Sequence, residues 1–122
     1  MSNPIEILLT RNLYDLFGER DADTRRAVMA EILTEDCLFT DPKGVKQGFD
    51  AIDKVIDSIL SQAPDFVFSH TAPPQTLTNS GRIAWGFGPA GEPPRLTGQD
   101  FILTRDGKIA ALYTFLDTPP AS

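Results

Sequence analysis

LTGQDFILTRDGKIAALYTFL, residues 96–116, holds two strand-like runs on either side of Arg105-Asp106-Gly107-Lys108. Asp-Gly suits a type I′ turn, whose two central residues both need positive φ, so the spacing predicts an antiparallel hairpin of residues 96–104 and 108–116. Upstream, Arg82-Ile83-Ala84-Trp85-Gly86-Phe87 reads as another strand, entered through Asn79-Ser80-Gly81, and Phe66-Val67-Phe68-Ser69-His70 as one more. Before Pro64 the period changes from two to that of a helix. Asn3 can N-cap, Pro4 suits the first helical position and Glu6 completes a capping box. Ile5, Leu8, Leu9, Leu13 and Leu16 then form one stripe, while Ile7 and Tyr14 lie on a second, nearly opposite line. That pattern predicts a first helix covered on more than one side and ended by Gly18.

A second helix is predicted from Asp21 or Asp23 through Ala27, Val28, Ile32 and Leu33. Cys37-Leu38-Phe39-Thr40 reads as a short strand, broken at Asp41-Pro42 because proline pushes the residue before it out of the helical region. A loop containing Gly44 and Gly48 follows, then a third helix over about 50–62 with Ile52, Val55, Ile56, Ile59 and Leu60 on one face. Helices first and antiparallel strands second is an α+β order, with helices packed on one face of a curled sheet. The last residues, Pro119-Pro120-Ala121-Ser122, read as a frayed tail.

The 122 residues suit one domain, residues 1–122 with a core of about 4–117. Hydrophobic residues make up 41% and charged residues 23%, ordinary globular usage and too apolar for disorder. A net charge of −6 is the wrong sign for tracking phosphates, so nucleic acid is not expected as a partner. The sequence has no apolar run near the roughly 20 residues of a membrane span. Its N-terminus does not read as a secretory signal. Cys37 is the only cysteine, which excludes an intrachain disulfide and fits a reducing cytoplasm. Lying in an apolar run, Cys37 reads as an inert buried thiol rather than a nucleophile. With one Cys and one His, a zinc site of the usual kind is excluded unless carboxylates supply most ligands, and no metal or cofactor is expected. Gly86-Phe87-Gly88-Pro89-Ala90-Gly91 matches G-x-G-x-x-G in letters only. A dinucleotide site needs a helix after it, whereas Glu92-Pro93-Pro94 and another strand follow.

The order of elements, with Phe39-Thr40-Asp41-Pro42, the Gly48-to-Ile52 entry into the third helix, and Gln99-Asp100-Phe101-Ile102-Leu103 ahead of Gly107-Lys108-Ile109, resembles the nuclear transport factor 2-like superfamily. That group includes SnoaL-like polyketide cyclases, ketosteroid isomerases and limonene epoxide hydrolases. The resemblance implies a cone: three N-terminal helices closing over a strongly curved antiparallel sheet, with an apolar pocket inside. Among these relatives the ketosteroid isomerases are most similar in polar positions. They place a catalytic Asp in an Asp-Pro pair, where Asp41 stands, and a protonated Asp in the strand before the last hairpin, where Asp100 stands. A hydrogen-bonding Tyr on their first helix matches Tyr14. In those relatives the surroundings of the two carboxyl groups hold them in different protonation states.

The resemblance thus implies an isomerase or cyclase in which Asp41 moves a proton next to a carbonyl, while Tyr14 and a neutral Asp100 donate hydrogen bonds to the oxygen. Phe39, His70, Trp85, Phe87, Ile102 and Leu112 are the expected ligand-binding residues, and a steroid-like or polyketide-like carbonyl compound the expected partner. Each residue also has a structural reading. Asp41 suits an Asx turn before Pro42, Asp100 a solvated strand face, Tyr14 a helix aromatic whose hydroxyl reaches water, and His70 a packed side chain with one hydrogen bond. A non-catalytic ligand-binding module of the same fold is therefore the alternative. Epoxide hydrolysis is disfavoured: Arg82 could stand for the relatives' Arg, but Ala84 replaces the Asp two residues on. The family often dimerises through the outer face of the sheet, which Val67, Phe101, Leu103, Ile109 and Tyr113 would make apolar.

Overall fold

A computed structural model describes residues 3–117; the predicted tail at 119–122 lies outside them. Helix α1, Pro4–Arg11, starts as expected, with Asn3 Oδ1 accepting from the N–H groups of Ile5 (2.9 Å) and Glu6 (3.3 Å). It does not continue as an α-helix. Residues Asn12–Phe17 widen into a π-helical turn that buries Asn12, Leu13, Leu16 and Phe17. Gly18 closes it by donating to Leu13 O at 3.0 Å, and a Cβ there would stand 2.7 Å from Tyr14 O.

Helix α2, Ala22–Ile32, is capped by Asp21, which accepts from Thr24 N at 2.9 Å. Leu33, expected inside this helix, is instead the first residue of β1, Leu33–Asp41. The segment expected to be a loop contains β2, Gly44–Gln47, which pairs antiparallel with β1. Helix α3, Phe49–Gln62, begins one residue before the expected span and buries Ile52, Ile56 and Leu60. Two arginines fasten the helices. Arg25, 1% exposed, holds Asp53 Oδ1 at 2.6 Å and Glu19 O at 2.8 Å, tying α2 to α3. Arg20 donates to the carbonyls of Leu60, Ala63 and Phe66 at 2.9, 2.8 and 2.8 Å, closing the C-terminal end of α3.

The remaining strands are β3 (Phe66–His70), β4 (Gln75–Thr76), β5 (Ser80–Pro89), β6 (Leu96–Arg105) and β7 (Lys108–Leu116). Their order is β2-β1-β7-β6-β5-β3, with β4 beside β5. The curved sheet is antiparallel as expected at every pairing but one, since β1 and β7 run parallel. About half of the chain, residues 42–107, connects those two strands, so no tight turn forces them to oppose each other. The β6–β7 turn is as predicted, with φ of 54° at Asp106 and 78° at Gly107. Gly86 and Gly88 lie within β5, and the chain folds back over them so that a Cβ on Gly86 would stand 2.7 Å from Pro94 Cβ. The glycines serve that close approach, and strand β6 rather than a helix follows.

On the sheet's outer face, Leu38, Val67 and Leu103 are exposed and the rings of Phe101 and Tyr113 lie 6.3 Å apart. Ile109, expected there, is fully buried in the core. The cause is a register shift: Thr104 faces Ile109, but Leu103 faces Ala111. A residue is thus bulged in β7, and alternation inverts across it.

Candidate active site

A cavity of about 220 Å³ opens between the helices and the concave face of the sheet. Leu13 and Phe17 of the π-helical turn, Phe39 of β1 and Ile59 of α3 form one side, and Phe68, Trp85 and Phe87 the other. The aromatic wall is built by contact. Phe68 stacks on Phe87 with centroids 4.2 Å apart and meets Trp85 edge-on at 5.6 Å. Leu96, Thr114 and Leu116 complete the sheet side. The charged groups on this lining are Asp41, Lys43 and Asp100.

Asp100 is 5% exposed. Its Oδ1 accepts from Trp85 Nε1 at 3.0 Å and Thr114 Oγ1 at 2.8 Å. Gly98 makes the first bond possible. It pairs with Trp85 across β5 and β6, and a Cβ on it would stand 2.7 Å from the indole. Oδ2 has only Asn12 Nδ2, at 3.5 Å. Burial raises the Asp100 pKa from 3.8 to about 6, against the opposing pull of the Thr114 and Trp85 hydrogen bonds. The carboxyl therefore keeps its proton to a higher pH than an exposed one, up to about 6, and it stands on a mostly apolar lining.

Asp41 ends β1 on the same cavity's lining, with Pro42 and Lys43 beside it. Its Oδ1 accepts from Lys43 N at 2.9 Å, the Asx turn that Asp-Pro suggested. The structure thus brings Asp41 and Asp100 to one hollow. Tyr14 is not on its lining. The Tyr14 hydroxyl lies 2.6 Å from His70 Nδ1 and accepts from His70 N at 2.9 Å, so the two side chains tie the first helix to β3. His70, expected to bind ligand, is exposed on that strand and absent from the cavity lining.

Of the other expected ligand-binding residues, Phe39, Trp85 and Phe87 line the cavity. Ile102 and Leu112 face each other across β6 and β7 at 0% and 1% exposure, in the closed core. They share strand faces with lining residues, which alternation shows, but they sit deeper, which it does not. Asn12 and Thr114 escaped the sequence reading. Asn12 lies on the buried stripe of the first helix, seven residues after Ile5 and four after Leu8, so helical spacing was the signal that could have found it. Thr114 comes opposite Asp100 only because of the bulge, since regular pairing from Arg105 and Lys108 would put Tyr113 there. Arg82 is exposed and donates to Gln75 Oε1 at 2.7 Å, away from the cavity. Cys37 is fully buried, and burial pushes its thiol pKa up to about 12, which makes it inert.

A family model described as a SnoaL-like domain matches residues 10–112. No curated protein matches the chain. Among solved structures, a candidate isomerase of the SnoaL-like family from Agrobacterium tumefaciens superposes with a TM-score of 0.86 at 21% identity, covering 94% of this chain and 98% of its own. A candidate SnoaL-like polyketide cyclase from Jannaschia sp. CCS1 gives 0.72 at 15% identity, covering 96% and 90%. A candidate ketosteroid isomerase from Kribbella flavida gives 0.69 at 19%, covering 98% and 84%. At these identities the likeness shows a shared fold.

Proposed function

This chain belongs to the SnoaL-like domain family, and on that premise we propose that its cavity takes a small apolar carbonyl compound and moves a proton on the carbon next to the carbonyl. The observation that carries the reading is the pair of carboxyl groups on one mostly apolar lining, Asp41 beside Pro42 and Asp100 buried. Asp41, ionised, takes the proton as general base. Negative charge then builds on the carbonyl oxygen. Asp100, neutral, donates to that oxygen through Oδ2, because Trp85 and Thr114 already occupy Oδ1. In an isomerase Asp41 returns the proton to another carbon; in a cyclase the carbanion attacks a second carbonyl of the same molecule.

A cavity of roughly 150 Å³ admits benzene, so about 220 Å³ accepts one substituted ring of a steroid-like or polyketide-like compound. The rest of the ligand would lie along the groove that continues past Pro42 and Leu116. The test is enone isomerisation by the wild-type chain and by Asp41→Asn. We expect turnover in the former and a loss of about 10²–10⁴-fold in the latter, the usual contribution of a positioned base. Equal rates overturn the assignment.

One observation favours a second reading. The Asx turn gives Asp41 a structural task without chemistry, which suits a non-catalytic ligand-binding module. Ligand binding without turnover, unchanged in Asp41→Asn, supports that alternative. Either function fits a cytoplasmic protein whose one thiol is buried, and a homodimer closed through the outer face of the sheet. Among the described residues no helix is long and apolar enough to cross a membrane.

A further inference from the structure

Among the described residues, Asn12 is the one side chain with a hydrogen bond to Asp100 Oδ2. It is 1% exposed, its Nδ2 lies 3.5 Å from Asp100 Oδ2, and its Oδ1 has no hydrogen-bond partner. An N–H donating to a settled carboxylate normally approaches to about 2.7–2.9 Å, so this contact is long for an ion. Rotating the amide by half a turn would put Oδ1 against Asp100 Oδ2, where it would accept the proton of a neutral acid. Either orientation leaves one amide atom unpartnered, and an unmade buried hydrogen bond costs much the same for either atom. The balance between the two orientations is therefore left to the state of Asp100.

We infer that Asn12 is the positioning residue for Asp100, with an amide that turns over with the carboxyl proton: Nδ2 donates to the carboxylate, and Oδ1 accepts from the acid. Asp100 thereby keeps a partner at Oδ2, and a fixed carboxyl plane, in both of its protonation states. Asn12 is not on the cavity lining, so it acts through Asp100 and touches no substrate. Helical spacing places it: Asn12 follows Leu8 by four residues and Leu9 by three, on the buried stripe of the first helix, just where the π-helical turn begins. Around Asp100 stand Trp85 of β5, Thr114 of β7 and Asn12 of the turn, all neutral. The charged groups sharing its cavity are Asp41 and Lys43. His70 and Tyr14 bond to each other elsewhere.

The inference rests on the donor role proposed for Asp100, yet its test needs no turnover. The full chain, labelled with ¹⁵N and ¹³C, is titrated from pH 4 to 8 by NMR, beside Asp100→Asn. As pH falls through the Asp100 midpoint, the Asn12 Nδ2–H that donated should move upfield while the Asn12 Cγ moves downfield, with one shared midpoint. Both movements should vanish in Asp100→Asn. The inference is overturned if Asn12 stays flat while Asp100 titrates, if Nδ2–H moves without Cγ, or if the movement survives in Asp100→Asn. A carboxyl that does not titrate in this range overturns it as well. Failure of the enone assay with the NMR signature intact would reject the enzymatic reading and leave the Asn12–Asp100 coupling standing.

Discussion

Asp100 exchanges water for two neutral donors, Trp85 and Thr114, and those bonds do not fully offset the loss of hydration. Its pKa is higher folded than unfolded, so the folded chain holds the proton more tightly. The resulting stabilisation is complete below about pH 4 and is lost as pH rises through about 6. At 1.36 kcal/mol per unit the shift corresponds to roughly 3 kcal/mol. An asparagine at this position keeps an acceptor for Trp85 and Thr114 and never ionises. Urea unfolding should therefore show Asp100→Asn gaining on the wild type by about 2–2.5 kcal/mol between pH 4 and 7.5. A constant gap would mean that Asp100 titrates normally. The residue type and its strand were legible in the sequence. The partners were not, because Trp85 reaches Asp100 diagonally over Gly98, and helical spacing puts Asn12 on the buried stripe without saying which strand residue it meets.

Between elements, the buried fastener is Arg25, at 1% exposure and shared by Asp53, Asp57 at 3.6 Å and the carbonyl of Glu19. Removing one partner of a buried pair strands the other, at about 3 kcal/mol or more. Arg25→Met should lose about that much in thermal or urea unfolding, and Arg25→Met with Asp53→Leu should recover most of it. Equal losses in both would show that the ion pair adds nothing specific. Element identity was readable where periodicity was strong, as in α3 and the Asp106-Gly107 hairpin. It failed at β2, whose four residues carry no alternation of apolar and polar groups, and at Leu33, where the chain passes from helix to strand without a break. The β7 bulge left no mark in composition, yet it decides that Thr114 rather than Tyr113 faces Asp100.

At the scale of the whole molecule, one face of the sheet is closed by helices and the other is not. Register places Leu38, Ala111 and Leu103 in one row across β1, β7 and β6, with Tyr113 and Phe101 in the next row. Leu38 and Leu103 are 39% and 38% exposed, so the middle of this face is apolar and open. Each copy carries a net charge of −6, which opposes random association, whereas these two rows contain no acidic side chain. A twofold axis through the face would bury the rows against themselves, the isologous arrangement of most homodimers. Sedimentation velocity at tens of micromolar should then give a dimer for the wild type. Leu103→Lys should shift it to monomer with little effect on unfolding, because a lysine in the centre of the face meets its own symmetry mate, while in the single chain it stays in water. A wild-type monomer at that concentration would remove the homodimer and leave the cavity argument untouched, since its lining residues all come from one chain.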